Sequence, residues 1–456
     1  MAETREELEN QDLETFRNLI KEKKYSVLRG KAQDMNESDL AYIMDNMEDE
    51  DMLTMFRLFP KGLAADVFSQ LSMESQQYII ASLSESEAGS IIDNLFADDA
   101  TDLLEEMPAN VVKKILSNAK PETRQDINHL LQYADDSAGS VMTTEFMDLK
   151  ENMTVNEALE RIRTKGIDSE TVNTCYVLNP KRLLMGTVSL RKLILHKPDE
   201  VIGDFMHENV ISCNTSMDEE KVVQLFKKYD LTALPVVDNE HRMVGIITVD
   251  DVMDIMEKET TEDIDKMAAI IPGDNKPYLK TSIFDTFKKR IPWLMLLMVS
   301  ATFTGKIITS FENALSKYVI LSAYIPMLMD TGGNSGGQTS AEVVRSLSLE
   351  QVSFSDFFKV IWKELRVALM AGVSLAVVAF LKCILLDGVS VTIGIVIGIT
   401  IVFVVLCAKL TAAVLTLVVD KVGLDPAVVA SPVLTTIIDA IALLVYFTIA
   451  TNLLGL

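Results

Sequence analysis

Cysteine and histidine are nearly missing from this sequence. Its 456 residues include four of each. Cys175, Cys213, Cys383 and Cys407 show no paired spacing, which argues against a zinc site or a disulfide framework and fits a reducing compartment. Every histidine (His129, His196, His207, His241) lies in the first 290 residues, so the apolar C-terminal part has no imidazole for acid–base work. Positive charge is short as well: 42 Lys+Arg stand against 66 Asp+Glu, a net of −24. Such a chain lacks the cations that displace phosphate counterions, which excludes nucleic acid as a partner and favours cations. The opening residues, MAETREELEN, lack the basic segment and apolar core of a cleaved leader, so the N-terminus is expected in the cytoplasm.

The charge is unevenly spread. Residues 291–456 hold 9 Lys+Arg and 10 Asp+Glu, which leaves 33 and 56 for residues 1–290, a net of −23. The first part therefore reads as a soluble acidic unit and the second as an apolar one. Apolar segments run over 291–311, 318–338, 366–386, 389–418 and 427–454. Each suffices for the ~20 residues that a membrane crossing needs. Five spans from a cytoplasmic N-terminus leave the C-terminus outside. Lys288, Lys289, Arg290, Arg345, Lys359, Lys363, Arg366 and Lys421 then lie inside, and Lys306, Lys317 and Lys382 outside, in the sense of the positive-inside rule.

Four domains are expected. Residues 1–135 read as an acidic all-α superhelix: LAYIMDNM, MLTMFRLF, AADVFSQL, SIIDNLF and ATDLLEEM carry helical apolar spacing between short breaks. Residues 136–256 contain a duplication. One copy runs VMTTEFMDLKENMTVNEALERI then CYVLNPKRLLMGTVSLRKL, the other FMHENVISCNTSMDEEKVVQLF then LPVVDNEHRMVGIITVDDV. Each reads as strand, helix, two strands, helix. This α/β arrangement resembles a tandem pair of CBS domains, modules that often bind adenine nucleotides or ions. Residues 257–290 form a connecting (plug) helix and linker broken at PGDNKP, and residues 291–456 a five-helix transmembrane domain.

Asp439 sits mid-way along the last span, in SPVLTTIIDAIALLVYF, with no Lys or Arg after it. A carboxylate there costs roughly 2.5–3.5 kcal/mol on insertion scales. A permeating cation would supply the missing partner; the alternative is a protonated Asp bonded to a neighbouring helix. In PMLMDTGGNSGGQTSAEVVR, four glycines surround Asn334 and suggest irregular backbone at membrane depth that both lines a wet cavity and packs closely on other helices; helix packing alone is the alternative. The embedded G-N-S-G-G matches a nucleophile-elbow pattern at Ser335, but without a histidine among the spans no enzyme is expected. Asp425 precedes Pro426 at the cytoplasmic mouth, either as a helix cap or as a cation contact. Lys409, inside the fourth span, is expected to snorkel to the interface.

The soluble half carries carboxylate clusters without His or Cys, which suit hard ions such as Mg²⁺ or Ca²⁺. Asp98 and Asp102 are one helical turn apart, and VDDVMDIMEKETTEDID, from the end of the second CBS copy onward, supplies Asp250, Asp251, Asp254, Glu259, Glu262 and Asp263. In G-I-I-T-V-D-D, Thr248 and Asp251 have the spacing by which such modules hold ribose and phosphate. The first copy has Lys192 where the Asp belongs. The pattern thus allows one nucleotide site; a nucleotide-free pair is the alternative.

With this domain order, P-M-L-M-D-T-G-G-N-S-G-G-Q-T-S…R (Pro326–Arg345) and D-P-A…P-x-x-T-x-x-x-D (Asp425–Asp439), the chain resembles the MgtE family of magnesium channels over nearly its whole length. The resemblance implies a Mg²⁺ influx channel or transporter of the bacterial plasma membrane. It implies a homodimer in the lipid bilayer, closed by cytosolic Mg²⁺, with Co²⁺, Mn²⁺ and Ni²⁺ as further cations and ATP as a candidate ligand of the CBS pair. Its pore residues fall on Asp439, Asp425 and Asn334. Its regulatory Mg²⁺ ligands fall on Asp66, Asp98, Asp102, Asp218, Glu220, Asp230, Asp251, Asp254, Glu259, Glu262 and Asp263, with a backbone ligand near Ser140. Asp66 stands where a Glu is usual, and Thr339 where a Ser is usual, both departures from the pattern.

Overall fold

Helix dominates because the apolar positions recur with helical period almost throughout. A computed structural model describes residues 2–273, 278–279, 281–428 and 432–455. The chain forms two compact units, residues 1–256 and 257–456.

In the first unit, ten helices run from α1 (Ala2–Lys21) to α10 (Pro121–Leu130). Among them are α3 (Glu37–Asp45), α4 (Asp49–Phe56), α5 (Lys61–Ser69), α6 (Met73–Ser82), α7 (Glu85–Ile92), α8 (Ala97–Glu105) and α9 (Ala109–Asn118). From α3 onward each helix packs on the next but one, α3 on α5, α4 on α6 and so to α8 on α10, which makes the expected superhelix. Leu40, Met44, Met55, Phe68, Ile79, Ile92 and Leu103 fill its continuous core.

The duplication folds as two like sheets. The first has β1 (Phe146–Leu149), α11 (Val155–Lys165), β2 (Thr171–Leu178), β3 (Leu184–Ser189) and α12 (Leu190–Leu195). The second has β4 (Cys213–Asn214), α13 (Glu219–Tyr229), β5 (Ala233–Val237), β6 (Met243–Thr248) and α14 (Val249–Met267). In each, the first strand pairs parallel to the middle one and the third antiparallel to it. Tyr176 and Leu178 of one copy pack with Met243 and Ile246 of the other. α14 runs unbroken from the second CBS copy through the acidic connecting segment. The PGDNKP break falls mostly on residues outside those described.

The second unit contains α15 (Ile283–Ser310), α16 (Glu312–Lys317), α17 (Ile325–Ser348), α18 (Phe357–Leu385), α19 (Val391–Val422) and α20 (Pro432–Leu454). Among the described residues, α15, the segment 354–385 that contains α18, α19 and α20 are long and apolar enough to cross a membrane. α17 is also long enough, but Asp330, Asn334, Gln338, Glu342 and Arg345 make it too polar to qualify by composition. The second span differs from its expected limits: residues 319–324 form a 3-10 turn and the helix starts at Ile325, with Pro326 in its first turn. α19 is central and packs on α17, α18 and α20. Thr400 and Thr416 on it are fully buried, as are Val396, Val405 and Ala412.

The glycine segment corrects an expectation. α17 passes through Gly332, Gly333, Gly336 and Gly337 as an unbroken α-helix. A Cβ on Gly332 would stand 3.0 Å from Val404 Cγ1 and 3.1 Å from Ile438 Cγ2; one on Gly336 would stand 2.1 Å from Ile438 Cδ1. These glycines admit α19 and α20 at close range, and that packing outweighs their poor helix propensity.

Candidate cation path and acidic cluster

One face of α17 and one face of α20 meet in a polar cleft of about 640 Å³. Asp330, Asn334 and Gln338 recur at intervals of four on α17, and Thr435 and Asp439 do so on α20; Met329, Gly333 and Gly337 complete the lining. Among the described residues, the lining includes no Lys, Arg or His. Asp439 and Asn334 thus share one cleft. Asp330 is a second carboxylate there, passed over in the sequence although it lies one turn before Asn334.

Asp425 lies before α20. Its Oδ1 accepts from Ala427 N at 2.7 Å and caps the 3-10 turn Pro426–Val428. Its Oδ2 is 2.6 Å from Lys266 Nζ, on the last turn of α14. Lys266 also pairs with Glu262. Burial pulls the Lys266 ammonium down, but hydrogen bonds to Asp425 and Glu262 outweigh it and hold the group above the ordinary lysine range. Burial, then the Asp425 charge, raises the neighbouring Asp263 carboxyl against the pull of Lys266. The structure therefore brings Glu262 and Asp263 to the segment that precedes the last span.

In the first unit, Asp98 and Asp99 open α8 and Asp251 lies in the first turn of α14. Asp251 Oδ2 accepts from Thr248 Oγ1 at 2.6 Å and Thr248 N at 3.2 Å, so it caps its own helix. Burial raises it while those bonds lower it. Burial, then the charges of Asp251 and Asp99, lifts Asp98 well above the usual range. Asp99 keeps an exposed side chain, yet the protein crowded around it desolvates the carboxyl, and with the charges of Asp251, Asp250 and Asp254 pushes it up to about 7. Glu170, just before β2, is pushed up to about 7 by burial, then by Asp251, Asp250 and Asp99. Glu145 joins α8 to this group: its Oε2 accepts from Thr143 Oγ1 at 2.7 Å and from Ala97 N at 3.4 Å. Sequence reasoning missed Asp99, Glu145 and Glu170, the last two because the fold brings them in from distant positions.

The other expected ligands are dispersed. Asp102 is exposed one turn beyond Asp98. Asp66 is exposed on α5, its carboxyl raised by partial loss of hydration and then by the Glu37 charge. Asp218 caps α13 by accepting from Glu220 N at 3.1 Å. Ser140 lies close by, since Ser137 bridges to Asp218 and Ser140 Oγ donates to Ser137 O. Asp230 terminates α13 in the left-handed region, roughly 18 Å along the helix from Asp218. Glu259 is half-buried on α14. Among the described residues, no three His, Cys, Asp or Glu side chains converge as a metal cage.

Lys409 does not snorkel. It is 6% exposed; its Nζ donates to Thr339 Oγ1 at 3.1 Å and lies 4.0 Å from Glu364 Oε2. Thr339 Oγ1 in turn donates to Glu364 Oε2 at 2.9 Å.

The domain order corresponds to known families. Residues 35–136 match the MgtE intracellular N domain, 138–198 and 202–258 the CBS domain, and 325–449 the MgtE divalent cation transporter. The class is thus a divalent-cation transporter of the membrane, not an enzyme. The chain is 34% identical over 431 residues to the magnesium transporter MgtE of Thermus thermophilus, covering 94% of this chain and 95% of that one. It is 30% identical to the Bacillus subtilis magnesium transporter MgtE, covering 95% of each. It belongs to the MgtE family of magnesium transporters. Two solved structures are similar to its first part. The soluble part of a magnesium transporter has TM-score 0.53 at 28% identity and covers 55% of this chain and 99% of that one. The cytosolic domain of the Mg²⁺ channel MgtE in complex with ATP has TM-score 0.51 at 35% identity and covers 53% and 99%.

Proposed function

We propose that this transporter is a Mg²⁺ influx channel that cytosolic Mg²⁺ closes. The observation that carries the reading is the α17–α20 cleft, where Asp330 and Asp439 face one space whose lining, among the described residues, includes no Lys, Arg or His. Six waters at about 30 Å³ each fit such a cleft, and Mg²⁺ parts with its waters reluctantly. Asp439 therefore holds the ion through water, with Asn334 and Gln338 as further oxygen donors. Co²⁺, Mn²⁺ and Ni²⁺ are candidate competitors.

Closure follows from charge. The carboxylates around Asp98 and Asp251 repel one another until a cation lies between them. Mg²⁺ that binds this packed arrangement more tightly than a separated one shifts the population towards it. α14 carries Asp251 near one end and Lys266 near the other, and Lys266 pairs with Asp425 at the mouth. A homodimer is the functional unit in this reading, since the dispersed ligands leave room for a second copy to complete each site. The N-terminus and CBS pair are cytoplasmic and the C-terminus is outside, in a bacterial plasma membrane. Thr248 and Asp251 are the candidate nucleotide contacts. The carboxylates around them mean that ATP enters there with Mg²⁺ on its phosphates.

Mg²⁺ flux into liposomes containing the full chain tests the path. Asp439→Ala is expected to abolish flux in an assembled protein, and normal flux would reject the assignment. Asp251→Asn with Asp254→Asn is expected to keep the channel open at high internal Mg²⁺; unchanged closure would reject the sensor.

A further inference from the structure

We propose that Lys409, Thr339 and Glu364 form a buried positioning device that fixes the rotation of α17 and so aims its polar face at the cation path. The proposal rests on reading the α17–α20 cleft as that path.

Three helices contribute one residue each: Thr339 from α17, Glu364 from α18 and Lys409 from α19. They are 1%, 5% and 6% exposed. Thr339 Oγ1 is the hinge of the set, accepting from Lys409 Nζ at 3.1 Å and donating to Glu364 Oε2 at 2.9 Å. Next to it, Ser340 Oγ and Thr416 Oγ1 are 3.0 Å apart, a second polar tie between α17 and α19. A buried ion pair is no efficient source of stability, because desolvating both charges offsets most of their attraction. Its best-attested use is to fix register.

α17 needs such a fix. Gly332 and Gly336, where α17 meets α19 and α20, carry no side chain to interlock there, so polar ties of fixed direction add to the close packing in setting its rotation. Successive residues of a helix are turned by about 100°. With Thr339 held among α18 and α19, Gln338 is turned aside to the cleft, and Asn334 and Asp330 follow on the same face. The ion pair lies outside the cleft lining and acts on the path only through α17.

The test uses the full chain in liposomes. Lys409→Met with Glu364→Met removes both charges at similar volume. The assembled double variant is expected to keep its thermal midpoint, to lose about tenfold in maximal Mg²⁺ flux, and to discriminate less between Mg²⁺ and Ca²⁺. Lys409→Arg keeps the pair and is expected to restore most of the flux and the discrimination. Wild-type flux and discrimination in the double variant would overturn the proposal. If that variant does not assemble, Thr339→Val decides: it keeps both charges and the volume but removes the hinge, and it must show the same losses. Asp439→Asn is run beside them. Its retaining flux would reject the path itself, whereas its failing beside an unaffected double variant would reject only the positioning role.

Discussion

Lys266 Nζ stands 2.6 Å from Asp425 Oδ2, so the last turn of α14 presents an ammonium to the carboxylate that precedes α20. The contact is shared with Glu262, and Asp425 keeps its other oxygen on Ala427 N. A cation tethered to the chain thus occupies one side of a carboxylate at the proposed mouth.

Lys266→Met removes that tethered cation without shortening the helix. Closure is expected to require severalfold more Mg²⁺ on the side of the soluble unit, in the range of ordinary coupling energies, about 1–3 kcal/mol. Flux measured against internal Mg²⁺ gives the midpoint directly. A midpoint that stays in place would show that the ion pair is incidental to gating.

Asp330→Asn removes one of two carboxylates from the cleft while its exposed position leaves the fold alone. Half-saturation for transported Mg²⁺ should rise by up to about tenfold, or 1.4 kcal/mol. Titrating flux with external Mg²⁺ checks it, and an unchanged half-saturation would leave Asp439 as the sole carboxylate that matters.

The acidic cluster of the first unit makes stability depend on pH. Asp99 and Glu170 are raised to about 7 in the folded chain, from 3.8 and 4.5. Raised acids bind more protons folded than unfolded, so their contribution is complete below about pH 4 and is lost as pH climbs through 7. Without Mg²⁺, the melting midpoint should fall between pH 5 and pH 8, and saturating Mg²⁺ should flatten the fall. A midpoint that rises over this range would contradict the cluster as described.

Gly332 and Gly337 separate packing from lining. Gly332→Val drives new atoms against Val404 and Ile438 and should destabilise by about 1–3 kcal/mol. No atom lies within 4 Å of a Cβ at Gly337, so Gly337→Ala should leave the thermal midpoint unchanged or slightly higher. Equal losses in the two variants would mean that α17 does not pack as seen.

Much of the architecture was legible locally. Helical periodicity marked the superhelix, and the repeated strand–helix–strand–strand–helix pattern marked the two CBS copies. What escaped was long-range. The glycines of α17 suggested a break because propensity is local, while the close approach of α19 and α20 that favours a helix is not. Lys409 read as a snorkelling residue because its partner, Glu364, is on another helix. Glu145 and Glu170 carried no motif, and only the fold sets them beside Asp99 and Asp251. Asp330 was within reach: spacing of four with Asn334 and Gln338 would have placed it on the same face once the segment was read as helix.

The buried pair also bears on how the chain enters the bilayer. Lys409, inside the fourth span, would oppose insertion of α19 by up to roughly 2.5–3.5 kcal/mol if delivered to lipid alone, and Glu364, buried in the early turns of α18, supplies its counter-charge. α18 and α19 are consecutive and pack closely along their lengths, with only residues 386–390 between them. Delivered as a hairpin, they bring acid and base into the membrane together. Lys409 therefore makes the integration of α19 conditional on α18, and a chain truncated after α18 is left with a carboxylate that has lost its partner.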